Sequence, residues 1–193
     1  YPLDDRRYER FDPAQAGRPD LMGGRTNLTL ADGLDGMLEN TFINIKNRSK
    51  TVTANVELVG NDRGIILTQG GTFGGWALYM DGGKPAYTYN WFGLEKYTVA
   101  SDEALPAGSA EVKVEFAYDG GGPGKGGLAT LYVNGEKVSE GRVERTTPAV
   151  FSGDETADVG KDDATQVVAA FENVRDSHFT GSVKSVTVDT AMP

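Results

Sequence analysis

His178 is the only histidine in the chain and directly follows Asp176 and Ser177, so any histidine-centred acid–base or serine-hydrolase scheme has to pass through it. Adjacent residues on one strand or turn cannot orient one another as nucleophile, base and positioning acid, and no G-x-S-x-G elbow accompanies them. The residue types therefore point to a surface or loop histidine. Asp154, Glu155, Asp158, Asp162 and Asp163 crowd around Gly153 and Gly160. Hard oxygen ligands at that density could hold Ca2+, with Asp154, Asp158 and Asp162 as the candidate ligands. The spacing is not that of an EF-hand loop, and a solvated acidic turn is the alternative. Trp76, Tyr79, Tyr87, Tyr89, Trp91, Phe92 and Tyr97 form a third concentration. Aromatics exposed on a sheet serve sugar or protein partners, while alternation sends about half of such a group to the core. Trp76, Tyr89 and Trp91 are the candidates for carbohydrate stacking or an interface.

Two further patterns imitate nucleotide sites. Gly122, Gly124 and Gly127 match G-x-G-x-x-G, but two strand-like runs flank them, with no helix to aim its N-terminus at a pyrophosphate. Gly124-Lys125 lacks both the earlier glycine and the following Ser or Thr of a Walker loop, so the segment reads as a glycine-rich hairpin loop.

These residues sit in a chain of 193, long enough for one domain plus an arm and for a core that needs neither disulfides nor a structural metal. It has no cysteine, which excludes thiol nucleophiles, disulfide scaffolds and cysteine-ligated metals. A formal net charge of −9 argues against nucleic acid or an anionic membrane surface as a general partner. No run approaches the roughly 20 apolar residues of a membrane helix, and no signal segment is visible. The start at Tyr1 is expected of a mature chain or a fragment. A soluble protein is expected, with cytoplasm, periplasm and secretion all left open.

The elements that must position any site are strands. Val52, Ala54, Val56 and Leu58 alternate with Thr51, Thr53, Asn55 and Glu57, and Val112, Val114, Phe116 and Tyr118 alternate likewise, each predicting a half-buried strand. Asn134-Gly135 between two such runs predicts a hairpin with a type I′ turn, and Asp81-Gly82-Gly83-Lys84 predicts another. Further strands are expected over 27–30, 42–46, 64–69, 97–100, 157–160 and 182–189. With 26 glycines and 8 prolines punctuating about a dozen short strands, the fold class is all-β, a two-sheet antiparallel sandwich or jelly roll. Residues 1–25, with a charged cluster and two prolines, are expected to be an irregular N-terminal arm, and 26–193 the sandwich domain.

The run Gly70-Gly71-Thr72-Phe73-Gly74-Gly75-Trp76 within 64–79 resembles the C-terminal region of bacterial arylsulfatases. So do Tyr87-Thr88-Tyr89-Asn90-Trp91-Phe92-Gly93, Leu131-Tyr132-Val133-Asn134-Gly135, and segments 2–6, 42–46, 116–122 and 151–160. Asp158-Val159-Gly160-Lys161-Asp162 and Phe179-Thr180-Gly181 also look like a concanavalin or laminin-G type of jelly roll. The sulfatase resemblance implies a parent chain that hydrolyses sulfate esters through an N-terminal catalytic domain, a formylglycine and a Ca2+ ion. Seven of the eight prolines follow Phe, Gly, Ala or Thr two places earlier and Pro2 has no such neighbour, so the Cys/Ser-x-Pro-x-Arg source of formylglycine is missing here. No catalytic residue carries over, and this chain alone is expected to be inactive. The leading expectation is an accessory domain that packs on the catalytic sulfatase domain of the same parent chain. The alternatives are an autonomous carbohydrate-binding module and an oligomer interface.

Overall fold

A computed structural model describes residues 21–190. The alternation at 51–58 becomes β3 (Lys50–Leu58), whose inward side chains Lys50, Val52, Ala54, Val56 and Leu58 are all buried. It lies between β8 (Gly108–Tyr118) and β12 (Ser182–Thr190), and the same sheet holds β1 (Asn27–Leu30), β9 (Gly127–Val133) and β10 (Glu136–Val143) in the order β1-β12-β3-β8-β9-β10. The second sheet runs β2-β11-β4-β5-β6-β7, from β2 (Met37–Leu38) and β11 (Thr156–Val159) through β4 (Gly64–Gly71), β5 (Gly74–Asp81) and β6 (Lys84–Trp91) to β7 (Glu95–Ala100). Every pairing is antiparallel. The fold is the all-β, two-sheet jelly roll read from the sequence.

Asn134 and Gly135, at φ 49° and 82°, make the expected hairpin turn, and Gly82 and Gly83, at 57° and 77°, make its counterpart between β5 and β6. The core between the sheets joins Val52, Val114 and Leu131 of the first to Trp76, Leu78, Met80, Tyr87 and Tyr89 of the second. Segment 42–46 differs from its expected strand: Phe42, Ile43 and Ile45 are all buried, and consecutive burial of Phe42 and Ile43 has no place in a pleat with one wet face. The expected arm at 1–25 lies outside the described residues as far as residue 20.

The outer face of the second sheet is also covered. Ile65, Ala77, Tyr79 and Ala86 form a separate buried cluster with Val167, Val168 and Phe171 of the segment joining β11 to β12. That segment is tied down at both ends, by Gly160 N–H to Ile66 O (3.2 Å) and by Thr180 N–H to Arg63 O (2.9 Å). It contains the one-turn helix α1 (Val174–Ser177), capped by Asn173 Oδ1 accepting from Asp176 N–H (3.1 Å). Arg63 ion-pairs with Asp176 and lays its guanidinium 5.1 Å from the Phe171 ring centre. At the crossing Gly64 holds φ +111°, and a Cβ there would lie 2.2 Å from His178 O, so only glycine lets the strand and the covering segment meet.

Candidate functional site

Where the covering segment stops short of β7, it leaves a groove of about 470 Å3 on the outer face of the second sheet. Phe171 and Val168 supply an apolar wall, and Thr72, Lys96, Gln166, Glu172 and Asn173 supply polar edges. Lys96 stands opposite Asn90 in the β6–β7 ladder and faces outward by strand parity. Among the described residues its ammonium makes no ion pair, and partial burial lowers its pKa while the buried Asp162 pulls the other way. Beside it runs a line of hydroxyls, Tyr79 to Thr88 (3.1 Å) to Thr98 (2.8 Å), with the Tyr79 ring edge-on to Phe171 at 5.7 Å.

Thr72 of the groove belongs to one of two adjoining turns that carry apolar side chains into solvent. Phe73 is 71% exposed, Leu94 74% and Phe92 40%. Asn90, fully buried, bolts the turns together: its Nδ2 donates to Gly71 O (2.9 Å) and Thr72 O (3.0 Å), while its Oδ1 accepts from Gly93 N–H (2.9 Å). Thr72 N–H donates to Thr165 Oγ1 (2.9 Å), which ties this tip to the covering segment. The half-buried Trp91 packs edge-on to Phe92 at 5.4 Å and carries Arg145 at 5.0 Å from its ring.

The expected site residues separate. Trp76 and Tyr89 are 0% and 1% exposed, so neither ring is available for stacking. Trp76 Nε1–H donates to Gln69 Oε1 (3.0 Å), and Tyr89 Oη accepts from Thr147 N–H (2.8 Å), which satisfies both inside the core. Strand parity decides this: both point inward, whereas the turn residue Phe92 escapes it. Trp91 is the one member of the trio at the surface. The three acids part as well. Asp154 is exposed in its turn, whereas the buried Asp158 accepts from Gly36 N–H (2.7 Å) and Thr156 Oγ1–H (3.0 Å). Asp162, 0% exposed, accepts from Val167 N–H (2.8 Å), and burial, reinforced by the Asp158, Glu155 and Asp163 charges, pushes its pKa up to about 7. Among the described residues no three His, Asp or Glu side chains gather as a metal cluster. His178 is exposed, and the buried Ser177 spends its hydroxyl on Val174 O (2.7 Å).

Phe92 belongs to the aromatic concentration of the sequence but not to its three candidates, and Phe73, Leu94 and Lys96 lie outside both. A signal was present, since Thr72-Phe73-Gly74 and Phe92-Gly93-Leu94 put large apolar residues beside turn glycines, where no pleat can bury them.

Several solved structures share the fold. The CBM40 of the Ruminococcus gnavus IT-sialidase bound to α2,3-sialyllactose superposes with a TM-score of 0.57 at 14% identity, covering 88% of this chain and 91% of that one. The same domain bound to α2,6-sialyllactose gives 0.53 at 14% identity, over 88% and 92%. Domains LG4-5 of the mouse laminin α1 chain give 0.47 at 12% identity, over 89% and 40%. No protein-family model matches the chain, and no curated protein matches its sequence. At 14% identity the sialidase likeness speaks to the fold alone. Neither sialidase structure is a sulfatase, so that resemblance rests on the sequence runs alone.

Proposed function

We propose that this chain is a carbohydrate-binding module whose site is the groove between β7 and the covering segment, with Phe92 and Phe73 on the turns beside Thr72. The observation that supports this reading is the groove itself: about 470 Å3, with an apolar wall, several amide and hydroxyl edges and a lysine that makes no ion pair among the described residues. That volume falls within the range of small-ligand pockets, and such a mixture of one ring wall with a few fixed polar groups suits a sugar. A cation without a counter-ion favours an acidic sugar, whose carboxylate would pair with Lys96. The sialidase domains of like fold hold sialyllactose, which makes that trisaccharide the first probe.

Leu94 favours a second reading. An exposed aliphatic side chain is no stacking platform, and with Phe73 it would suit packing on a companion domain, which the sequence resemblance makes a catalytic sulfatase domain. Calorimetric titration with sialyllactose and with lactose tests the first reading. Binding of the acidic sugar, weakened at least tenfold by Lys96→Ala in a protein of unchanged stability, is the expected result. Silence across a glycan array that includes acidic sugars would overturn it and leave packing as the purpose of the tip.

A further inference from the structure

Lys50 breaks the apolar register of β3. It holds the inward parity of Val52, Ala54 and Val56, opposite Phe116 in the β3–β8 ladder, and is 5% exposed. Its Nζ lies 4.6, 5.6 and 5.8 Å from the ring centres of Phe116, Tyr89 and Trp76. Among the described residues no carboxylate lies within ion-pair distance of it. A small cavity of about 10 Å3 adjoins it at this end of the sandwich, and Lys46, Asn47, Arg48, Tyr89 and Tyr118 also line that cavity.

Charge around the cavity is unbalanced. Glu39 is committed, with Oε1 on Lys46 Nζ (2.5 Å) and Oε2 on Phe151 N–H (2.9 Å). Among the described residues Arg48 Nε is buried without a hydrogen-bond partner. Three acceptors on the rim are engaged: Asn47 Oδ1 accepts from Gly124 N–H (2.8 Å), Tyr89 Oη from Thr147 N–H (2.8 Å) and Tyr118 Oη from Lys125 N–H (2.9 Å). Facing the cavity are Arg48 Nε and the Lys50 ammonium, whose near neighbours are ring faces, an excess of donors over free acceptors among these side chains.

We propose that this cavity is a site for one small monovalent anion of halide size, held between Lys50 Nζ and Arg48 Nε. The cavity, about 10 Å3, has room for a single small ion and not for a sugar acid, and it lies apart from the groove on the second sheet. The anion would supply the missing acceptor and the missing countercharge together. Lys50 also makes the site pH-sensitive. Burial, with the Lys46 charge adding to it, brings its pKa down to about 7. The other charged or titratable groups facing it are Arg48, Tyr89 and Tyr118, with Glu39 behind Lys46. Tyr89 is pushed up to about 12 by burial, so over pH 6 to 8 Lys50 is the group that changes charge.

The test is thermal unfolding of the full chain with chloride or bromide replacing gluconate at fixed ionic strength. Saturable stabilisation is expected, with affinity about tenfold higher at pH 6 than at pH 8, because binding requires the protonated amine. Lys50→Met and Arg48→Gln should each abolish the saturable part, and bromide in crystals should give an anomalous peak between the two side chains. An unsaturable response shared by the variants, or equal affinity at both pH values, overturns the proposal. Should Lys50→Met fail to fold, the wild-type pH dependence and the bromide peak decide: an empty cavity in bromide-soaked crystals overturns it equally.

Discussion

Phe92 holds φ at 53°, the left-handed region that costs a side-chain-bearing residue roughly 1 kcal/mol, next to Gly93 at 71° in the turn between β6 and β7. Glycine at both positions would be the cheaper turn. The ring is 40% exposed, so its contact with Trp91 returns only part of that cost. Strain retained for an exposed ring fits a residue that meets a ligand. Phe92→Gly is therefore expected to leave stability unchanged or raise it by about 0.5 kcal/mol, while sialyllactose affinity falls about tenfold. Urea unfolding and calorimetry read the two effects separately. A loss of stability beyond about 1 kcal/mol would show that the ring is there for packing.

At the scale of elements, the tip depends on one side chain. Asn90 satisfies two carbonyls of the β4–β5 turn and one amide of the β6–β7 turn from a fully buried position. Asn90→Ala leaves all three without partners and is expected to cost about 2–4 kcal/mol in urea unfolding, with sugar binding lost as the two turns part. A cost under 1 kcal/mol would mean that the turns hold themselves. The strands that carry the tip were legible because period-2 alternation records a buried face directly, as in β3 and β8. The groove was not. Its wall is an aperiodic segment whose apolar content, Val167, Val168 and Phe171, is too short to announce an element. A trace did exist in β5, where Trp76, Ala77, Leu78, Tyr79 and Met80 are apolar without alternation, the pattern of a strand covered on both faces. The Lys50 cavity was legible in principle too, since a lysine continues the inward parity of β3.

Across the whole molecule, two buried groups of opposite sign shape the dependence of stability on pH. Asp162 has its folded pKa raised from 3.8 to about 7, so the folded state retains a proton that the unfolded chain sheds, and stability falls as pH rises from 4 to 7. Lys50 has its folded pKa lowered from 10.5 to about 7, so the unfolded chain binds the extra proton between 7 and 10, and stability rises over that interval. Asp119, held low by Arg142, and Asp176, held low by the Glu172 amide and then Arg63, contribute stability that is already in place above pH 4. Tyr89 and Tyr97, both raised to about 12 by burial, turn the curve down again only above pH 10. The sum is a minimum near pH 7, where many proteins are most stable, flanked by arms each on the order of 2 kcal/mol. Urea unfolding at pH 5, 7 and 9 in halide-free buffer measures it. Asp162→Asn keeps an acceptor for Val167 N–H and should flatten only the acid arm, whereas Lys50→Met should flatten only the alkaline one. A wild-type profile that peaks at pH 7 would mean that neither group is buried in the charge state that this packing imposes.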